Sequence, residues 1–356
     1  MYTTGLMVRT GHGHQIYDAG AQKMFQDGLV SKNDSLMPCI RPAYQALFYV
    51  PFTFLPYHQA YFAFLAFNLG ILLLCLQLLR PYMSNMVRIR YYLPAFLLLF
   101  FPITIALMQG QDSIILLGLL IGALICIQRH NDYAAGVLVA LGLIKFELVL
   151  PIFLLFLAWR RWRFSAAFAC TSTVLMGISI WIAGLAQTVS YLHNMVGVGS
   201  TLGFNAGPPV NMKLMANLHG ALYGVMGGSP YTLPLTIAAS AAIMILLACR
   251  RPHGINLLVI AIPASTLVSY YMYVHDLCIL IIPLAIMFNR QIEDWKTKSL
   301  SERMRITATV LMFVAPTCLI FATHYYWIVS FPLLAFTIIT FVSLSTDRAR
   351  LISEES

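Results

Sequence analysis

The chain has 356 residues, of which 60% are hydrophobic and only 10% charged, with a formal net charge of +9. Soluble domains carry about 25% charged residues, so water is excluded as the main solvent. The basic balance does not imply nucleic acid, because Lys and Arg sit in short segments between apolar runs and not on one face with a binding motif. Windows that fit the roughly 20 helical residues needed to cross a hydrocarbon core recur from residue 57 almost to the C-terminus. The expected fold class is all-α, a polytopic integral membrane protein whose first partner is the lipid bilayer.

In chain order, residues 1–56 read as an exoplasmic loop with a re-entrant amphipathic segment opened by Arg41. The opening residues resemble the middle of such a loop, so a first span is expected upstream of Met1. Within it, His12 and His14 stand two apart without a Cys or acid in register, a weak metal signal, and Asn33-Asp34-Ser35 is a glycosylation sequon. A transmembrane domain is expected over 57–345, with spans at 57–79, 91–108, 112–128, 164–184, 231–249, 255–273, 277–289, 306–323 and 325–345. A cytoplasmic tail follows at 346–356, and the segment 185–230 reads as a long exoplasmic loop. The seven cysteines show no disulfide frame or zinc spacing.

Arg80, Arg88 and Arg90, then Arg129, then Arg160, Arg161 and Arg163, then Arg250 and Arg251, and finally Arg290 onward mark alternate connections. By the positive-inside rule these face the cytoplasm. The run 134–159 begins and ends beside such residues, at Arg129 and Arg160. It is therefore expected to enter and return as a re-entrant hairpin, each arm of roughly 13 residues rising only about 20 Å. Lys145 and Glu147 fall at its tip. A charge at mid-bilayer costs about 2.5 to 3.5 kcal/mol on insertion scales, and irregular backbone at depth requires burial in protein or a watery cavity. The two residues either line a cavity near the outer leaflet or pair with each other in a helix bend.

Five pieces, in order, carry a family resemblance: YTTGLMVRTGHGHQIYD (2–18), RPAYQALFYVPFTFLP (41–56), GQDSIILLGLL (110–120), AAGVLVALGLIKFELVLPIFLLFLAWRRWR (134–163) and YMYVHDLCILIIPL (271–284). The set resembles glycosyltransferase family 87, polyprenol-phosphate-mannose-dependent mannosyltransferases of the GT-C superfamily. The resemblance implies transfer of a mannose-like hexose from a polyprenyl-phosphate sugar to an exoplasmic glycan or glycolipid acceptor. It implies no cofactor and no necessary metal, and a site facing outside in a multi-pass, bacterial inner-membrane protein. The family's catalytic acid would fall just before Tyr2, so the expected base is missing from this sequence.

Inverting transfer needs a base for the acceptor hydroxyl and cations for the departing phosphate. Lys145 is the leading phosphate contact and Arg41 the second, although Arg41 also suits a snorkelling headgroup anchor. His275 and Asp276, beside Tyr270, Tyr271 and Tyr273, are candidates for acid/base work, with an interfacial aromatic belt as the alternative. Gln111 and Asp112 suit sugar hydroxyls, as does Glu147 at the cavity tip, while Asp112 equally suits a helix cap. Asp18 is the nearest acid to the missing base. Two rival functions remain at this stage: a secondary transporter, since buried charges also mark ion paths, and a truncated non-catalytic subunit or pseudoenzyme.

Overall fold

The computed structural model describes residues 1–30, 36–84, 93–198, 211–291, 299–318, 320–321 and 325–354. The sequon Asn33-Asp34-Ser35, Arg88, Arg90, the middle of the 185–230 segment and His324 lie outside the described residues. Among the described residues all regular structure is helical. Four helical stretches of the described residues are long and apolar enough to cross a membrane: Tyr57–Met83, Asp132–Ala158, Trp162–Ala183 and Val274–Gln291. Shorter apolar helices, among them Ser113–Gln128, Thr232–Ala248 and Asn256–Val268, accompany them. The protein is an all-α polytopic membrane protein, and its surface fits that solvent: Trp181 is 80% exposed and Leu246 64%. Apolar side chains that would be misplaced in water are at home against lipid.

The chain divides into two compact units, Met1–Leu69 with Ala169–Asn211 and Gly70–Phe168 with Met212–Ser356. In the first unit the opening residues form helices Tyr2–Arg9 and Ala19–Asp27, where sequence reading expects loop. Hydropathy windows tuned to long apolar runs pass over such short segments. The signals are local: Gly11 takes φ +81° to end the first turn, and Asp18 caps the second helix by accepting from Ala21 N–H at 2.7 Å. Gly5 lets helix Tyr2–Arg9 lie against Tyr49, since a Cβ there would meet Tyr49 backbone at 3.0 Å. Ile16, Ala43, Ala46 and Ala183 form a small core. Beside it Tyr17 stacks on Tyr191 at 4.8 Å and donates to the Arg41 carbonyl at 2.9 Å.

In the second unit the deepest layer is helix Asn256–Val268, in which residues 257–267 are all buried, and helix Ser113–Gln128. Helix Thr232–Ala248 stays near the surface, with Ile237 61% exposed. The expected span 91–108 is two helices, Leu93–Leu99 and Phe101–Met108, separated at Phe100 because Pro102 cannot donate to the preceding turn. The span 255–273 stops at Val268, and residues 269–273 leave the helix. The 185–230 segment is no simple loop: it contains helix Leu185–Val198 in the first unit and helix Leu218–Met226 in the second.

The run from Asp132 consists of helix Asp132–Leu141, a 3-10 turn Gly142–Lys145 and helix Phe146–Ala158. Its length would suffice for one crossing. Its ends, however, come back together: Arg161 Nη2 lies 2.6 Å from Asp132 Oδ1. At the same end a Cβ on Gly136 would meet the Phe164 carbonyl at 2.3 Å. The run therefore turns back on itself, with Lys145 at the bend, and Arg160 (φ 59°) and His130 (φ 57°) make the tight turns that flank it.

Candidate functional site

The candidate site lies within the second unit, where three polar turns supply its charges. The first follows helix Phe101–Met108. Gly110 takes φ +58°, and Gln111 N–H reaches back to Ala106 O at 2.8 Å, closing the helix end. That turn sets Asp112 at the start of helix Ser113–Gln128, yet the carboxylate makes no capping bond there. It faces Lys145 instead, with Oδ1 3.1 Å from Nζ.

The second turn is the bend of the hairpin. Lys145 has φ −127° and ψ 65°, outside the helical region, which swings its side chain between the arms' neighbours. Gly142 allows the close approach: a Cβ there would meet Leu116 Cδ1 at 2.7 Å and Val149 Cγ2 at 3.1 Å. The Lys145 side chain is fully buried and reaches Asp276 Oδ1 at 2.6 Å as well as Asp112. Of the two expected outcomes for Lys145, pairing with Glu147 or lining a cavity, the geometry thus adds a third, a bridge between carboxylates from distant segments. Glu147 is buried in the first turn of helix Phe146–Ala158, where the helix dipole favours a carboxylate.

The third turn carries His275 and Asp276. Residues Val274–Leu280 form a seven-residue 3-10 helix, longer than the usual three or four, that leads into helix Ile281–Gln291. Asp276 Oδ2 accepts from Tyr273 N–H at 3.2 Å, and Oδ1 accepts from Ser113 Oγ at 2.8 Å. Cys278 Sγ donates to the Ser113 carbonyl at 3.4 Å, fastening the same two elements together. His275 Nε2 lies 3.6 Å from Asp276 Oδ2, and its side chain, 10% exposed, is the least buried charged-type group of the cluster. Tyr270, Tyr271 and Tyr273 stand half-buried around it, with Tyr273 6.0 Å from the His275 ring and Phe146 6.0 Å from Tyr270.

Lys145, Asp112, Asp276 and His275 are therefore brought together, with Gln111 half-buried beside Asp112. Asp18 and Arg41 belong to the first unit. There Asp18 is a helix cap, and the Arg41 residue is buried and accepts the Tyr17 hydroxyl on its carbonyl. His12 Nδ1 sits 3.1 Å from Thr10 Oγ1, its ring edge-on to Phe25. Sequence reading passed over Ser113, because one hydroxyl in an apolar helix is common. Its position immediately after Asp112, at a helix start, was the available signal.

Chemically, one ammonium faces two carboxylates, so the three carry a net negative charge when all are ionised. Isolated buried charges are costly, and a pairing of this kind is retained only with good geometry and further hydrogen bonds, which Ser113 and the Tyr273 amide supply here. The carboxylates can accept a hydroxyl proton, and the ammonium can meet an anion by exchanging one carboxylate for it. No curated protein and no solved structure matches the chain. The family model for glycosyltransferase family 87 matches residues 42–272, well over half of the 356 residues. That match takes in the Asp112 turn and the Lys145 bend and ends one residue before Tyr273; the chain belongs to glycosyltransferase family 87 and is a membrane glycosyltransferase.

Proposed function

We propose that the chain transfers a mannose-like hexose from a polyprenyl-phosphate sugar to a glycan or glycolipid acceptor outside the membrane, with inversion. The observation that carries this reading is the buried Lys145 held between Asp112 and Asp276. In the transfer, the acceptor oxygen forms a bond to the anomeric carbon as the bond from that carbon to the phosphate oxygen breaks. The electron pair leaves with polyprenyl phosphate, and the hydroxyl proton passes to a carboxylate, for which Asp276 is the first candidate. Lys145 releases one carboxylate as negative charge grows on the leaving oxygen, and a cation placed in advance is worth most in a dry site. His275 borders the same carboxylate and can accept the proton onward. Gln111, Asp112 and Glu147 serve the sugar hydroxyls.

The test uses the full chain in lipid vesicles with polyprenyl-phosphate mannose as donor. Asp276→Asn, nearly isosteric, and Lys145→Ala should each lower turnover by about 100- to 1,000-fold, the usual loss for one electrostatic group. Donor binding should weaken far less, because interactions strengthened in the transition state act on rate. Wild-type turnover in Asp276→Asn would remove that residue from the chemistry, and a wild-type chain inert toward the donor would remove the donor.

A further inference from the structure

Asn217 is completely buried, and its side chain works in two directions. Its Oδ1 accepts from Gly220 N–H at 2.9 Å, capping helix Leu218–Met226. Its Nδ2 donates to the Ser269 carbonyl at 2.6 Å, across 52 residues of sequence. The cap alone does not call for asparagine, since Asp and Ser cap about as well. Only an amide offers an acceptor and a donor from one short side chain.

The receiving carbonyl is where the helix Asn256–Val268 stops. Ser269 takes φ −54° and ψ 135°, and carbonyls at a helix end lack intrahelical partners. Asn217 satisfies this one, and Ser269 Oγ then donates to Tyr271 O at 2.8 Å, folding the strap that follows. Ser269 and Met272 are buried while Tyr270, Tyr271 and Tyr273 are half-buried, so the strap is anchored in the unit at two of its five residues. Its far end is Tyr273, whose N–H meets Asp276 Oδ2 at 3.2 Å.

We propose that Asn217 is a positioning residue for Asp276. Its amide pins the start of the 269–273 strap, and the strap sets the Tyr273 N–H that orients the Asp276 carboxylate toward Lys145. The inference extends the proposed role of Asp276 and rests on it for its effect on turnover, although the strap itself is tested independently of any substrate.

Asn217→Ser and Asn217→Asp both keep the capping acceptor and lose the amide donor; the neutral serine controls for the charge of the aspartate. Hydrogen exchange is followed in the full chain in detergent, in peptides covering 218–226 and 270–276, alongside turnover of polyprenyl-phosphate mannose. Exchange over 218–226 should stay at the wild-type rate while exchange over 270–276 accelerates in both variants. The value of kcat should fall by about 10- to 100-fold, the effect of a small misplacement, with KM changed less than about twofold, the pattern of a loss confined to the transition state. Wild-type exchange over 270–276, or a loosened strap with unchanged kcat, overturns the proposal. If the wild-type chain does not turn over this donor, the proposed donor falls, and the exchange rates alone decide whether Asn217 holds the strap.

Discussion

Ser113 and Asp276, 163 residues apart in the chain, share a buried hydrogen bond of 2.8 Å from Oγ to Oδ1. With the Lys145 ammonium 2.6 Å from the same oxygen, Oδ1 carries one hydrogen bond and one ion pair from two different segments. The arrangement couples the first residue of helix Ser113–Gln128 to the 3-10 helix Val274–Leu280.

Removing the hydroxyl should be costly because the acceptor is charged and stays buried. Ser113→Ala should destabilise the protein by about 1.5 to 3 kcal/mol, the range for hydrogen bonds to ionised groups. Ser113→Thr keeps the donor but adds a methyl at a site with no exposed area, so overpacking should itself cost about 1 to 3 kcal/mol. Thermal unfolding in detergent measures both; equal midpoints for Ser113→Ala and the wild type would deny the bond any net contribution.

Gly136 and Gly70 offer a contrast between two helical glycines. A Cβ at Gly136 would sit 2.3 Å from the Phe164 carbonyl, a backbone atom that cannot rotate aside, whereas nothing lies within 4 Å at Gly70. Gly136→Ala should lower stability by about 1 to 3 kcal/mol through overpacking. Gly70→Ala should be neutral or stabilising by up to about 1 kcal/mol from helix propensity. The same unfolding assay checks the ordering, and a Gly136→Ala midpoint at or above that of Gly70→Ala contradicts the close approach of the two segments.

His219 gives a pH dependence. It is buried, its Nε2 lies 2.7 Å from Met212 Sδ, and burial lowers its pKa below the usual 6.5. The open state of this segment therefore binds a proton more readily than the folded state. Its contribution to stability is complete above about pH 6.5 and is lost as pH falls toward the folded value. Protection over Leu218–Met226, taken as exchange relative to the intrinsic amide rate at each pH, should fall between pH 7 and pH 5 more steeply in the wild type than in His219→Gln. Parallel pH slopes would show that His219 stays neutral in both states.

Much of the architecture was legible in the sequence because lipid imposes a simple rule, long apolar helices. The breaks were less so. Pro102 hides inside an apolar window, and the stop at Val268 leaves a Ser269 carbonyl that Asn217 meets from 52 residues away. At the site, Lys145 could be picked out as a charge in an apolar run, but its partners could not. Asp112 has the position of a helix cap and Asp276 that of an interfacial residue, and what separates those roles is which turns share a place, a property of tertiary packing. Proximity along the chain picks out Glu147 beside Lys145, but it says nothing of Asp112 and Asp276, which come from distant turns.

The hairpin that brings Lys145 back toward Asp112 also bears on how the chain is made. Asp112 and Lys145 flank one pair of neighbouring helices, Ser113–Gln128 and Asp132–Leu141, and both are synthesised well before Asp276 emerges from the ribosome. Each charge alone would resist partition from the insertion channel into the bilayer, by about 2.5 to 3.5 kcal/mol. Their pairing in the folded chain sets one charge against the other. Asp276 emerges last of the three, so the ammonium it pairs with is made before the residue that needs it.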